Sequence, residues 1–525
     1  MEALRIPHSE LPHTSKLFAD LLYNFGRVAS FYAHDASDPD AFARAARDIR
    51  MLSEQRAALV AALRLQNPGH PALERLAREG TVAVVTGQQV GLYGGPAFTV
   101  YKALTAAKLA RELTERGLEA VPVFWLATED HDFEEVRRAW SFTPDHRPVE
   151  LELPAARSAE TPVGTIGVGS PPHDALRQSL CGFPFGEDVA ALAAESYREG
   201  ESLGGAFRKL AGRLLGSHEV LFLDPLAPEI RALAAPVLAR AVEAAPDLTA
   251  ALLERNRALE SAGYHAQVHL EPHTALFFVL ERGRRIALRR NGVEYAARDR
   301  RYSVAELHDR AVALSPNALL RPVVQDSILP TVAYVGGPAE LAYLAQSRVL
   351  YEHLLGRMPV PVPRSAFTIL DARSAKLMAC YELRLQDFFH GLKPLEDQIA
   401  RRLAPPGLKL NFQQTISVVG GLVDGLSRDL LNFDPSLKKA LEKSRAKILY
   451  QLHKIEGKAA REALRRDERA QRDAAYVSGL VYPEKHLQER RYSILPFLAR
   501  HGRDLVGRLY ERIRLDSPHH QVFLA

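Results

Sequence analysis

At 525 residues, 47% hydrophobic and 25% charged, the chain is large enough for two to four structural units, and its composition is that of a globular protein. A net charge of +5 is too mild a bias for a nucleic-acid-binding face, so no nucleic-acid partner is expected, but it suits anionic small molecules gathered in one basic cleft. The two cysteines, Cys181 and Cys380, have no C-x-x-C spacing; this excludes zinc ribbons, thioredoxin-like chemistry and a disulfide framework, and each is expected as a small core residue.

The opening stretch MEALRIPHSELPHTSKLF lacks the apolar region of a signal peptide. No uncharged apolar run reaches the roughly 18–20 residues of a membrane span, so a cytoplasmic protein without a membrane partner is expected. Residues 16–80 carry apolar side chains at helical spacing. At Thr81 the texture changes to TVAVVT, a β-branched run suited to a strand covered on both faces. A helix from about Ala97 to Arg116 follows, then the strand EAVPVFWLAT and a helix over FEEVRRAW. Residues 141–180 read as an inserted loop or small β piece. HEVLFLDPLAPEIRALAAPVLARAV predicts a further strand and helix. Residues 264–300 predict a meander of AQVHLE, TALFFVLE, RIALRR and VEYAAR, with Asn291-Gly292 as a hairpin turn. A strand over SILPTVAYV (327–335) then enters another helix. This alternation of β and α argues for an open, doubly wound α/β sheet.

After about Ser365 the pattern is purely helical. Between Ser436 and Asp473, apolar residues three, four or seven apart (Leu437, Leu441, Ile448, Leu452, Ile455, Ala459, Ala463) predict a coiled coil; the alternative is a long surface helix of a bundle. The expected organisation is N-terminal helices over 1–80, a core over 81–375 with insertions near 141–204 and 264–312, a helical coiled-coil region over 376–480, and a helical segment over 481–525.

In open α/β sheets ligands sit beyond the carboxyl ends of the strands, and three motifs fall there. The first is Thr86-Gly87-Gln88-Gln89 with Tyr93-Gly94-Gly95-Pro96. Glycines allow close backbone approach, proline suits a first helical turn, and free amides at a helix start favour an anion. Lys102, on the second turn, reaches back toward that charge. The string is neither G-x-x-x-x-G-K-[ST] nor G-x-G-x-x-G, and a turn kept for shape alone explains it equally well. The second motif is Glu129-Asp130-His131-Asp132. Its crowded carboxylates are expected to raise at least one acid's pKa and to favour protonated His131, as acid–base work requires. The alternative is that Asp130 or Asp132 caps the next helix. No H-E-x-x-H spacing supports a metal, and none is expected. The third is Tyr334-Val335-Gly336-Gly337-Pro338-Ala339-Glu340, which repeats the Gly-Gly-Pro-Ala of the first; Asn317, Arg321 and Gln325 precede it. Two helix entrances of one design suggest two grips, on the two anionic ends of one ligand or on two ligands side by side.

The strings TGQQVGLYGGPAFTVYKA, VPVFWLATEDHDFEEV, SPNALLRPVVQDSILPTVAYVGGPAELAYLAQ, MPVPVPR and HLQER resemble the BshC family of bacillithiol biosynthesis, from about Leu11 to the end of the chain. The resemblance implies a Rossmann-like core similar to class I aminoacyl-tRNA synthetases, with connecting-peptide insertions, and a C-terminal coiled coil through which the family forms a homodimer. It implies a cysteine ligase adding L-cysteine to glucosaminyl-malate in the last step of bacillithiol synthesis. Amide formation needs an activated carboxylate, so ATP, leaving ADP or AMP, is the expected nucleotide. The family analogy places it near Gln488 and Arg490. The H-x-G-H and K-M-S-K-S strings of true class I synthetases are absent. A non-catalytic, synthetase-like scaffold using its coiled coil is the competing reading.

Overall fold

The computed structural model describes residues 5–155, 160–292, 294–298 and 300–525. The chain divides into two compact units. One contains the chain up to Pro144, Pro148–Thr368 and Glu489–Phe523; the other contains Asp145–Arg147, Ile369–Gln488 and Leu524–Ala525.

In the first unit, β1 (Val82–Gln88), β2 (Ala120–Leu126), β3 (Leu221–Leu223), β4 (Thr331–Gly336) and β5 (Val360–Pro363) form one sheet in the order β5-β4-β1-β2-β3. Every neighbouring pair is parallel. The continuous apolar runs are explained by burial on both faces: Ala83, Val85, Val121, Val123 and Trp125 enter one core, and Val82, Val84 and Ala120 enter another. The expected doubly wound sheet is therefore present. Chain order proceeds from β1 outward through β2 to β3, then resumes on the other side at β4. This makes the β1/β4 gap the topological switch point, where the carboxyl ends of such a sheet open a crevice.

Helix α1 (Phe98–Glu115) leaves β1, and α3 (Pro338–Leu354) leaves β4. The helix after β2 is shorter than expected. It is α2 (Phe133–Val136), because residues Arg138–Phe142 leave to pair antiparallel with Pro148–Glu152 and bury Ala139 against Leu151. The meander is five-stranded, with Leu314–Pro316 pairing antiparallel to Thr274–Glu281. AQVHLE is not one of its strands. The Gln346 side chain satisfies both the N–H and the C=O of Val268 at 2.9 Å, so this backbone needs no ladder.

Past Ser365 the chain is not purely helical. Ala366–Leu370 and His519–Leu524 are strands, and Arg5–Pro7 pairs antiparallel with His519–Gln521 across nearly the whole sequence. Both cysteines are exposed rather than in the core.

The second unit is helical. Pro406–Phe433 and Lys438–Arg466 run as an antiparallel hairpin, fastened by Arg445 on Asp424 at 2.7 and 3.0 Å. The run expected over Ser436–Asp473 is broken where the Asp467 side chain accepts from the Ala470 N–H and starts a new helix, Glu468–Val481. Val418, Leu422, Leu426, Ile448 and Ile455 stay exposed along the hairpin. Among the described residues no helix is long and apolar enough to cross a membrane.

Candidate functional site

The loops after β1, β2 and β4 converge on one cleft of about 870 Å³ within the first unit. From β1 come Gly87, Gln88 and Gln89; from β2, Glu129 to Asp132; from β4 and its helix, Tyr334, Gly337 and Glu340. Asn317 and Arg321 close another side, and Arg490 lines a wall with Arg364 and Phe98. Parallel pairing explains the convergence, since adjacent parallel strands deliver their following loops to the same end.

At both Gly-Gly-Pro-Ala turns, however, protein groups take amides expected to be free. At the first, the Gly94 N–H donates to the Tyr197 hydroxyl (3.1 Å), the Gly95 N–H to the Leu92 carbonyl (3.0 Å) and the Ala97 N–H to the Tyr492 carbonyl (2.7 Å). Tyr93, Gly94 and Gly95 do not line the cleft; Tyr93 is fully buried, with its hydroxyl 3.0 Å from His173 Nδ1. At the second, Glu340 folds back so that its Oε2 accepts from Gly337 N–H at 2.9 Å. The anion grip expected of the first opening is thus filled by the protein's own groups, and at the second the Gly337 amide is taken by Glu340.

Lys102 is likewise committed. Its ammonium is fully buried and donates to Gly87 O (2.5 Å), Gln88 Oε1 (3.0 Å) and Glu340 Oε2 (2.5 Å), using all three of its hydrogens. It ties the loop after β1 to the helix after β4 instead of reaching for a ligand. Burial pushes the Glu340 carboxyl up, but the Lys102 charge and hydrogen bond, with the Gly337 amide, outweigh this and hold it below its usual range. Glu340 Oε1 accepts from Tyr334 (2.7 Å), which with Tyr343 also meets the Arg321 guanidinium at 3.2 Å. Thr86, Gln325 and Gly336 support this frame from outside the cleft: Thr86 donates to Val335 O (2.8 Å), Gln325 accepts from Arg321 (2.9 Å), and Gly336 O accepts from Arg364 N (2.9 Å). Gln488 is also excluded; it lies in the helical unit and bonds both Ile369 N (2.7 Å) and Ile369 O (2.9 Å).

The acidic loop is organised by Gln89 from the first motif and by Arg231 and Arg285, which the sequence did not single out. Asp130 Oδ2 accepts from Gln89 Nε2 (2.6 Å) and its Oδ1 from the His131 amide (2.7 Å). Burial raises the Asp130 carboxyl, but the Gln89 bond, Arg285 and the amides more than reverse this and leave it lowered. Glu129 moves the other way, pushed up by burial against the pull of Arg231 at 3.7 Å. Asp132 caps α2 through Glu135 N–H (3.2 Å), the alternative expected for it, and still lines the cleft. His131 meets an arginine rather than a carboxylate as its nearest side-chain partner. Arg285, from the antiparallel sheet, places its NH1 3.0 Å from the imidazole Nδ1. On the opposite wall Glu489 grips Arg364 in a buried bidentate pair at 2.6 and 3.0 Å. Arg285 sits in the basic stretch RGRRIALRR, and its only signal was an arginine at an inward-facing strand position. Among the described residues no group of His, Cys, Asp and Glu has metal-holding geometry.

Residues 1–365 match the family model described as "Bacillithiol biosynthesis BshC, N-terminal Rossmann-like domain", and residues 367–524 match "Bacillithiol biosynthesis BshC, C-terminal coiled-coil domain". A relative from Solibacter usitatus (strain Ellin6076) is 54% identical over 524 residues, covering 100% of both chains. One from Koribacter versatilis (strain Ellin345) is 36% identical over 98% of each. One from Symbiobacterium thermophilum is 31% identical over 100% of each. All three carry the name "Putative cysteine ligase BshC".

Proposed function

The chain belongs to the BshC family of bacillithiol biosynthesis, and from that premise we propose that it is a cysteine ligase whose cleft over β1, β2 and β4 joins the carboxyl carbon of L-cysteine to the amino nitrogen of glucosaminyl-malate. The observation that supports this reading is the division of charge in one cavity. The loop after β2 brings Glu129, Asp130 and Asp132, with Arg285 beside Asp130, while Arg364 and Arg490 share the Phe98 ring. The amino group of the sugar suits the acidic side, and the malate carboxylates suit guanidinium forks.

A carboxylate does not condense with an amine unaided, so ATP is the proposed activating cosubstrate, by adenylation or phosphorylation. Arg490 is the residue offered to its phosphates. Its guanidinium lies 5.8 Å from the centre of the Phe98 ring and has no carboxylate partner among the described residues. Arg364, on the same ring at 5.1 Å, is already paired with Glu489.

The proposed assembly is a homodimer in the cytoplasm, formed through the helical hairpin. Leu422 and Leu426 are 66% and 56% exposed there, and an exposed apolar stripe of that kind marks an interaction surface. Leu422→Glu is expected to shift the protein to a monomer in light scattering.

The deciding experiment incubates purified protein with cysteine, glucosaminyl-malate and ATP and looks for the amide by mass. Product that depends on all three supports the ligase. Its absence, with the protein folded, favours a non-catalytic scaffold.

A further inference from the structure

We propose that Arg285 is a positioning residue that holds His131 neutral, with its ring proton on Nε2, so that His131 serves the cleft as a hydrogen-bond donor to a substrate oxygen rather than as a base. This rests on the cleft being the reactive site, as proposed above, but its first test does not.

A guanidinium has donors and no acceptor and stays charged at all relevant pH. The Arg285 NH1 lies 3.0 Å from His131 Nδ1, so Nδ1 must offer a lone pair. The one ring proton of a neutral imidazole then sits on Nε2. That N–H has no protein acceptor among the described residues, and the ring is 36% exposed in the cleft. The arrangement leaves one donor open to a ligand.

Arg285 is not free to turn away. Its Nε donates to Ser315 Oγ at 2.9 Å and its NH2 to the Pro316 carbonyl at 2.8 Å. Its Cζ lies 3.8 Å from the centre of the Phe278 ring, and the imidazole rests on that same ring at 5.5 Å. The side chain is buried, 7% exposed. Protonating Nδ1 would set two donors against each other across 3.0 Å and put a second cation beside a desolvated one.

The carboxylates around His131 pull the other way. Asp130 and Asp132 share its loop, Glu129 precedes it and Glu135 follows on α2; among the described residues Arg285 is the charged group that lines the cleft from the antiparallel sheet. Asp130 is the nearest, with Oδ1 3.7 Å from Nδ1, but that oxygen already accepts the His131 amide and lies 3.6 Å from Arg285. The contest is settled by the contact Nδ1 actually makes.

The test is long-range 1H–15N NMR of the full-length protein with 15N-labelled histidine, with the His131 ring identified from its loss in His131→Gln. The expected result is a pyridine-type Nδ1 and a pyrrole-type Nε2, unchanged as pH falls from about 8 to 5.5. A ring that titrates in that window, or that carries its proton on Nδ1, overturns the proposal whatever the enzyme does. In Arg285→Met the ring is expected to titrate, since only the carboxylates remain. kcat in the ligase assay should fall by up to about 10²-fold with KM little changed. Arg285→Lys, which keeps one donor but loses the fork, should retain the wild-type tautomer and recover part of kcat. If Arg285→Met does not fold, the wild-type spectrum and Arg285→Lys still decide. A locked ring in a protein whose His131→Gln variant keeps full activity would sink the site reading alone.

Discussion

At Gly94–Ala97 the backbone enters α1 with Gly94 and Gly95 at φ of 84° and 68°, deep in the first unit, its amides taken by a tyrosine hydroxyl and two carbonyls. At Gly336–Ala339 the same four letters enter α3 with Gly337 at φ −81°, on the wall of the cleft, capped by a carboxylate. One copy needs glycine for a left-handed turn. The other needs it for room, because a Cβ on Gly336 would come within 2.9 Å of Leu341 Cδ2. A shared tetrapeptide thus records a shared strand-to-helix geometry, while burial and the neighbouring side chains set what each copy does.

Lys102 is where the two meet, and removing it or its partner should do the most damage. Lys102→Ala or Glu340→Ala leaves an unmatched charge in a buried site, and each is expected to lose about 3–5 kcal/mol in urea unfolding. The Lys102→Met/Glu340→Leu pair should lose less than either, whereas additive losses would show that the two turns are not coupled through this bond. Tyr197→Phe acts on the first turn alone. It strips the Gly91 carbonyl and Gly94 amide of their hydroxyl partner, at about 1–3 kcal/mol. Gly95→Ala should cost about 1–2 kcal/mol because of its positive φ, whereas Gly337→Ala should be close to neutral in stability and show its effect in turnover.

Acid separates the turns further. The Glu340 carboxyl is lowered in the folded state, so its stabilisation is complete above the ordinary carboxylate pKa of about 4.5 and is lost as pH falls through the lower folded value. Stability should drop there in the wild type, and the drop should be absent in Glu340→Gln. The Tyr197 hydroxyl, pushed up by burial, stays neutral throughout, so the first turn adds nothing to that slope. The smallest structural effect belongs to Arg490→Ala. Its thermal midpoint should match the wild type while KM for ATP rises about tenfold, roughly 1.4 kcal/mol of binding.

Much of the fold was legible because its signals are local. β1 and β2 announce themselves as apolar runs, and a glycine-rich turn, a helix start and Gly117 mark the boundaries between them. The strand His519–Leu524 was invisible for the opposite reason, since its partner Arg5–Pro7 lies at the far end of the chain. In the cleft, Glu129 to Asp132, Asn317, Arg321 and Glu340 could be picked out by residue type and position after a strand. Arg285, Arg364 and Glu489 could not, because each matters through a partner more than a hundred residues away. Lys102 stands out in the sequence but its role does not, since spacing shows reach and not which acceptor is nearest.

The sequence by itself determined the alternation of strand and helix, the two matching turns, the acid-rich loop and the long helices of the second unit, all of which follow from periodicity and from residue chemistry over a few positions. Tertiary structure alone decided that β4 lies beside β1, that the Gly94, Gly95, Ala97 and Gly337 amides are taken internally, and that a distant arginine reaches the Nδ1 of His131. Burial and hydrogen-bond partners are properties of what is packed nearby, and strand order brings together segments whose separation along the chain carries no record of the contact.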